Sequence, residues 1–191
     1  MGDKKYGSGR TLIVGEVGSG KTARTLRILR DLRKTSEGPW GILDFAPEEV
    51  GGVGGKLPLS DGEREGMIYL SPPIVPPRLR GKSEDEVLRL AGENRRQIEQ
   101  VLPLPRDSGV RVLFINDLSL YFHAGSAGQL WLQIGKIPTV VMNGYYGSYF
   151  GDSPISRRER SEMELLMARC DRVLYIPPRC PANSPPPERA P

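Results

Sequence analysis

The sequence predicts an α/β fold, a three-layer sandwich built on a mainly parallel sheet of five strands. Short apolar runs typical of buried strands alternate along the chain with segments whose apolar residues recur at helical spacing. Such alternation implies parallel strands with helices covering both faces of the sheet. A glycine-rich loop follows the first strand, and polar residues follow several others, so a ligand site is expected at the carboxyl ends of the strands.

Five apolar segments, most of them rich in β-branched residues, are predicted to form the sheet. They are Thr11–Val14, Trp40–Phe45, Val110–Ile115, Pro138–Met142 and Arg172–Ile176. Met67–Leu70 is interpreted as a short additional strand.

Helices are predicted in the intervals between the strands. One runs from Thr22 to Lys34, and a short one covers residues 127–136. Two others begin with the Ser-x-x-Glu pattern of a capping box, at Ser83 and at Ser156. The stretch Ser71–Lys82 holds four prolines and is predicted to be an extended loop.

The length of 191 residues suits one compact domain. We expect a flexible N-terminus at residues 1–10, a domain at 11–176 and a disordered tail at 177–191, where 7 of 15 residues are proline.

No apolar run approaches the roughly 20 residues that cross a bilayer. With no signal peptide in view, the sequence favours a cytoplasmic protein without a membrane partner. Two cysteines are too few for a disulfide framework or a Cys₄ zinc site.

The glycine-rich loop carries the most specific motif in the chain. Gly15-Glu16-Val17-Gly18-Ser19-Gly20-Lys21-Thr22 matches the pattern G-x-x-x-x-G-K-[ST] in full. The glycines allow successive backbone N–H groups to face phosphates, and the next helix adds its positive N-terminal end. Lys21 is expected to reach the β- and γ-phosphates, and Thr22 to bind Mg²⁺ through its hydroxyl. The motif therefore predicts binding of a nucleoside triphosphate with Mg²⁺.

With this motif between a strand and a helix, the chain resembles the P-loop NTPases. More narrowly, it resembles their RecA-like and AAA-like division, in which another strand separates the motif's strand from the Walker B strand. The resemblance covers about residues 11–176 and implies the strand order 5-1-4-3-2 for the five predicted strands. It also implies a small ATPase that hydrolyses ATP with Mg²⁺.

The predicted Walker B strand departs from the pattern of that division, which usually ends it with Asp, often followed by Glu. Here Asn116-Asp117 follow the strand. If Asn116 takes the place of the Asp, Asp117 stands where the catalytic Glu stands. If the register slips by one residue, Asp117 is the carboxylate that supports Mg²⁺. Asp117 is a candidate for either role, and the alternative is a cap of the next turn.

Two further polar residues are expected at the same edge of the sheet. Asp44 follows the second strand, and Asn143 follows the fourth. Asn143 stands where such families often carry a polar sensor of the γ-phosphate, so it is a candidate catalytic residue. The alternative is a turn, because Asn143-Gly144 is a common turn pair.

Arginines suggest partners beyond the nucleotide. Arg157, Arg158 and Arg160 open a predicted helix, where an arginine finger can act within the chain or on a neighbouring copy in a homo-oligomer. Four others recur every third residue on the first helix and form a candidate nucleic-acid face: Arg24, Arg27, Arg30 and Arg33. A solvated helix face is the alternative for both groups.

The sequence also suggests roles for an aromatic loop and for the single histidine, and it favours one nucleotide. The aromatic loop Tyr145–Phe150 suggests base stacking, a protein contact or local packing. A structural role is favoured for His123, because phosphoryl transfer needs little side-chain acid–base chemistry. ATP is favoured over GTP because no Asn-Lys-x-Asp signature follows the fourth strand.

Besides hydrolysis, the sequence leaves two other functions open. One is a phosphotransferase whose basic loop Arg78–Lys82 closes over a small acceptor, and the other is a nucleotide switch or nucleic-acid-associated module.

Overall fold

A computed structural model describes residues 6–49 and 55–178 of the chain. It has an α/β fold with a six-stranded sheet in which every pair of neighbouring strands is parallel. The strands are β1 (Gly9–Gly15), β2 (Trp40–Asp44), β3 (Met67–Leu70), β4 (Val112–Asn116), β5 (Thr139–Tyr145) and β6 (Arg172–Ile176). The prediction of an α/β fold with a mainly parallel sheet is confirmed.

Eight helices occur in the described residues. They are α1 (Lys21–Arg33), α2 (Asp61–Arg64), α3 (Pro77–Arg80), α4 (Glu84–Val101), α5 (Leu104–Asp107), α6 (Ser119–Phe122), α7 (Ala127–Ile134) and α8 (Pro154–Met167). The segment 71–82 is therefore not extended throughout, because Pro77 stands at the first position of the short helix α3, where its fixed φ suits a helix start.

The order of strands in the sheet is β3-β2-β4-β5-β1-β6. Without β3, the remaining strands stand in the order expected for the five predicted ones. The predicted count of five is too low, because β3 adds a sixth strand beside β2, with Trp40 opposite Met67. This edge strand is only four residues long and half-buried, so its sequence signal is weak.

Apolar residues cover both faces of the sheet. On one face, α1 packs through Leu26, Leu29 and Leu32 against alternate side chains of the central strands. On the other face, a larger cluster joins α4, α6, α7 and α8 to the intervening side chains of the same strands. Alternate side chains of each strand thus pack against helices on opposite faces of the sheet, as expected for buried parallel strands.

Serine side chains cap the N-termini of α4 and α8. Ser83 caps α4, since its side chain accepts the N–H of Glu86, but the predicted capping box is incomplete because the Glu86 carboxylate accepts the N–H of Lys82 and not that of Ser83. The predicted capping box at Ser156 is wrong. Helix α8 begins one turn earlier, because Ser153 accepts the N–H of Ser156 and Pro154 occupies the first turn. Glu159 therefore lies inside the helix, where it is buried.

The structure describes only parts of the two segments predicted to flank the domain. Strand β1 begins at Gly9, and Tyr6 is already buried beside α1. Residues 1–5 and all but the first two residues of the predicted tail, 177–191, lie outside the described residues. Within the described residues, no helix combines the length and the apolar character needed to cross a membrane.

Candidate functional site

The glycine-rich loop connects β1 to α1 with a backbone that its glycines make possible. Gly18 and Gly20 have φ values of 70° and 98°, in the left-handed region that favours glycine. At Gly15 a side chain would meet the carbonyl oxygen of Ile176 only 2.5 Å from its Cβ. The N-terminus of α1 has no side-chain cap, so its first backbone N–H groups are available to an anion.

Lys21 lies at the first position of α1 and lines the cavity beside this loop. Its Nζ donates a hydrogen bond to the carbonyl oxygen of Glu16 at 2.6 Å. The side chain is half-buried. Burial lowers the pKa of Lys21, and the negative charges of Asp117 and Glu16 oppose that shift. The loop thus holds a partly desolvated cation without an ion-pair partner in direct contact among the described residues.

A cavity of about 330 Å³ opens at the carboxyl edge of the sheet. One wall is the glycine-rich loop with Lys21 and Thr22, and the floor is formed by the ends of the central strands. The opposite wall comes from α3, α6, α8 and the loop after β5, and its members are Pro76, Pro77, Arg78, Leu79, His123, Tyr145, Phe150 and Glu159. The volume falls in the usual range of small-molecule sites.

Asp117 follows β4 on the floor of this cavity. Its φ of 54° is the only positive value for a non-glycine residue in the described part of the chain. The Asp117 N–H donates to Oδ1 of Asn143 at 3.1 Å, and its carboxylate accepts from the Ser119 hydroxyl at 2.9 Å. Burial raises the pKa of Asp117, while the Ser119 hydrogen bond and the charge of Lys21 oppose the rise. Such strained, partly desolvated groups cluster at functional sites.

Asp44 does not join the cavity, contrary to the expectation of convergence. It is fully buried, and its carboxylate accepts from the Leu57 N–H and the Tyr69 hydroxyl, both at 2.8 Å. Burial, together with this carboxylate, raises the pKa of Tyr69. Asn116 also donates to Asp44 at 2.8 Å. Asp44 therefore joins β2, β3 and β4 beneath the site, and its hydrogen-bonding capacity is used within the protein.

Asn143 lies inside β5 and is not a turn residue, because the strand continues to Tyr145. Its side-chain N–H₂ donates to Asn116 and to the Thr25 hydroxyl, both at 2.9 Å. Its oxygen accepts from Asp117, as described above. Asn143 lines the cavity and joins β4, β5 and α1, so it fixes the position of Asp117.

Three side chains far apart in sequence form a charged cluster on the opposite wall, which we call the Arg78 cluster: Arg78, His123 and Glu159. Arg78 contacts Glu159 at 2.6 Å, and Nε2 of His123 lies 3.2 Å from the other oxygen of the same carboxylate. Burial favours a raised pKa for Glu159, but His123 and the Arg78 guanidinium outweigh it and hold that pKa below its ordinary value. All three members line the cavity.

The loop after β5 closes one side of the cavity and is tied to the glycine-rich loop. The Glu16 carboxylate accepts the Ser148 N–H at 2.6 Å. Phe150 packs edge-on against Tyr145, with ring centroids 5.1 Å apart, and the Arg78 guanidinium lies 4.7 Å above the Phe150 ring. Local packing thus accounts for most of this loop, whereas the Tyr149 side chain is 64 % exposed.

The arginines of α8 do not line the cavity beside the glycine-rich loop. Arg157 pairs with Asp152 at 2.8 Å, Arg158 donates to the carbonyl of Gly125 at 2.7 Å, and Arg160 donates to the carbonyl of Gly147 at 2.6 Å. Arg78, which the sequence prediction assigned to a lid, is instead the arginine that lines the cavity.

The basic face of α1 is partly used within the protein. Arg24 donates to the Tyr6 hydroxyl at 3.0 Å, Arg30 pairs with Glu63 at 2.7 Å, and Arg33 lies 5.5 Å above the Trp40 ring. Nucleic-acid binding by this face stays a prediction.

The residues available for Mg²⁺ are few but suitable. No group of three or more histidine, cysteine, aspartate or glutamate residues that could hold a metal occurs within residues 6–49 and 55–178. Thr22, with its hydroxyl, and Asp117, with its carboxylate, both line the cavity. Mg²⁺ in phosphate sites commonly takes one or two protein oxygens, with water and phosphate supplying the others, so this pair fits that ion.

The Arg78 cluster could not be found by motif. Arg78 and Glu159 are 81 residues apart, His123 and Glu159 are 36 apart, and Glu159 matched a capping box that does not form. The only available signal was that His123 is the one histidine of the chain. No protein-family model matches this chain, and no curated protein matches its sequence.

Proposed function

We propose that the protein binds a nucleoside triphosphate, ATP, with Mg²⁺ and hydrolyses it. The observation that carries this proposal is the glycine-rich loop. Two left-handed glycines lead into the uncapped N-terminus of a 13-residue helix, and the lysine of the motif lines a cavity with a carboxylate on its floor. Backbone N–H groups, a helix N-terminus and a cation together form the usual protein environment for phosphate.

Each residue of the loop has a role in this proposal. The N–H groups of Gly18–Thr22 surround the phosphates, and Lys21 exchanges the Glu16 carbonyl for phosphate oxygens. A phosphate oxygen is the better partner, because an interaction between two charged groups is stronger than one with a neutral carbonyl. The Thr22 hydroxyl and Asp117 hold Mg²⁺, which when bound neutralises charge on the phosphates.

The sheet supports the same family proposal. Strand β5 separates β1, which precedes the motif, from β4, which carries Asp117 at its end. This is the arrangement of the RecA-like and AAA-like P-loop NTPases, and we propose membership of that division. ATP is proposed over GTP because β5 runs into Asn143-Gly144-Tyr145-Tyr146, which lacks the guanine signature.

Phosphoryl transfer to a small acceptor is the second candidate function. The observation in its favour is that the cavity extends past the glycine-rich loop to an opposite wall of mixed apolar and charged side chains, among them Leu79, Phe150 and the Arg78 cluster. Such a wall suits an organic acceptor as well as water.

A phosphate-release assay with ATP, GTP, CTP and UTP tests the proposal and separates the two candidates. Release of phosphate without any added acceptor supports hydrolysis, with ATP as the preferred nucleotide. Tight nucleotide binding without release, together with transfer to an added hydroxyl compound, supports the phosphotransferase. Failure of all four nucleotides to bind contradicts both.

A further inference from the structure

His123 has one engaged and one unengaged ring nitrogen. Its side chain is 1 % exposed, and Nε2 faces the Glu159 carboxylate at 3.2 Å. Nδ1 is buried and has no hydrogen-bond partner in the described part of the chain. An ionised carboxylate only accepts hydrogen bonds, so Nε2 carries a hydrogen, and in the uncharged form of the ring Nδ1 carries none. Nδ1 is then left with a free lone pair, which makes it an acceptor.

The location of this nitrogen points to a ligand. His123 lines the same cavity as Lys21, Thr22 and Asp117. A buried polar atom without a partner destabilises the folded protein, so such atoms call for a specific reason. A hydrogen-bond donor bound in the cavity would satisfy Nδ1.

Glu159 is held firmly enough to orient the ring. Its second oxygen accepts from Arg78 at 2.6 Å, and Arg78 also donates to the Ser156 hydroxyl at 3.2 Å. The Arg78 guanidinium in turn packs on Phe150. A base whose far nitrogen is fixed by a buried carboxylate is the arrangement that general-base catalysis uses.

We propose that Nδ1 of His123 accepts the proton of the hydroxyl group that attacks the terminal phosphorus of the bound triphosphate. This inference rests on the proposed function. The attacking oxygen forms a bond to phosphorus as the bond from phosphorus to the bridging oxygen breaks. The nucleoside diphosphate leaves with that electron pair, and the proton passes to Nδ1. Glu159 stabilises the resulting imidazolium. The hydroxyl belongs to water in hydrolysis and to an alcohol in phosphotransfer.

Several charged groups lie near His123, and their effects on the pH dependence of kcat must be distinguished from its own. Glu159 faces the ring from α8, Arg78 from α3, Asp117 from the segment after β4, and Lys21 from the glycine-rich loop across the cavity. The lowered pKa of Glu159 keeps it ionised at mildly acidic pH, and arginine keeps its charge. Lys21 gains its positive charge as the pH falls, so its titration cannot reduce kcat toward acidic pH. Asp117 is the one competing source of an acid limb.

The test compares kcat against pH for the wild type, His123→Asn and Tyr121→Phe. Asn keeps a polar group of similar reach. Tyr121 is the matched control, because it lies two residues before His123 and its hydroxyl donates to Glu99 at 3.2 Å outside the cavity. The wild-type kcat should fall toward acidic pH because the imidazolium cannot accept a proton. His123→Asn should lower kcat about 10²-fold or more and abolish this acid limb. Tyr121→Phe should leave kcat and its pH dependence unchanged.

Controls make each outcome decisive. The calorimetric affinity for MgATP should be the same in His123→Asn as in the wild type. If the wild type itself does not bind MgATP, the proposed function is wrong, and not only the role of His123. A wild-type rate in His123→Asn overturns the proposal, and so does an acid limb in that variant with the same size and midpoint as in the wild type. If His123→Asn unfolds, Glu159→Gln replaces it, and an unaltered pH profile in that variant is equally contradictory.

The source of the hydroxyl is found by repeating the wild-type reaction in glycerol solutions and following phosphorus by NMR. Phosphate alone identifies water, and glycerol phosphate identifies an alcohol site. Bound ATP with neither product in either solution would contradict the proposal.

Discussion

Asp117 holds a backbone conformation that costs an ordinary L-residue roughly 1–2 kcal/mol, although Asp and Asn tolerate it better than most. The hydrogen bond from its N–H to Asn143 and the bond from Ser119 to its carboxylate fix that geometry. In consequence the carboxylate is held on the cavity floor near Lys21, whose charge lowers its pKa against the effect of burial. Strain that surrounding bonds maintain is typical of groups with a catalytic task.

We expect Asp117→Asn to slow turnover far more than it weakens nucleotide binding. Asn retains the size and tolerates the left-handed conformation, but it loses the charge that acts on Mg²⁺ or on the attacking oxygen. The expected loss in kcat is about 10²-fold or more, with little change in MgATP affinity. kcat and calorimetric Kd must be measured separately. Asp152→Asn, at an exposed ion pair with Arg157, is the control and should change neither. If Asp117→Asn behaves like this control, Asp117 is only a turn cap.

At the scale of elements, the start of α8 determines whether Glu159 reaches the cavity. A start at Ser156 would have placed Glu159 at the third position of the helix, turned back toward the cap. The actual start at Ser153 moves Glu159 into the second turn, on the buried side that faces α3 and α6. Two serines three residues apart compete for the same cap role, and the proline after the first decides between them.

Replacement of each serine by alanine separates these two caps. Ser153→Ala should lower the free energy of unfolding by about 1 kcal/mol, because it removes the acceptor for the Ser156 N–H. Ser156→Ala should cost less, because it removes the hydroxyl's hydrogen bonds with Arg78 and Ser153 but leaves the Ser156 N–H capped by Ser153. Urea denaturation of both variants measures the difference. A larger effect at Ser156 would place the start of α8 where the sequence motif predicted it.

At the scale of the whole molecule, the features that could be predicted from the sequence are those that depend on consecutive residues. The glycine-rich loop is encoded in eight consecutive residues, and the buried strands are apolar runs bounded by turns. The strand order followed from the resemblance of these elements to a known family. The half-buried β3 was recognised as a strand but left out of the sheet, because the residues of a short edge strand carry little burial signal.

Contacts between distant segments were not predictable in the same way. Asp44 ends an apolar run as a ligand would, yet its carboxylate bonds Leu57, Tyr69 and Asn116. Arg78 and His123 meet Glu159 only because α3, α6 and α8 pack over the same edge of the sheet. Neither outcome follows from residue type or spacing, because both depend on which helices cover the ends of the strands.

The central claim is that the glycine-rich loop binds the phosphates of a nucleoside triphosphate through Lys21. Calorimetric titration of the wild type, Lys21→Ala and Lys34→Ala with MgATP tests it most directly. Lys34 also belongs to the region of α1 but is exposed and paired with Asp31, so it is the matched control. We predict that the wild type and Lys34→Ala bind MgATP alike, and that Lys21→Ala loses productive binding while its Tm stays close to that of the wild type. Equal affinity in all three proteins, or no binding by the wild type, would contradict the claim.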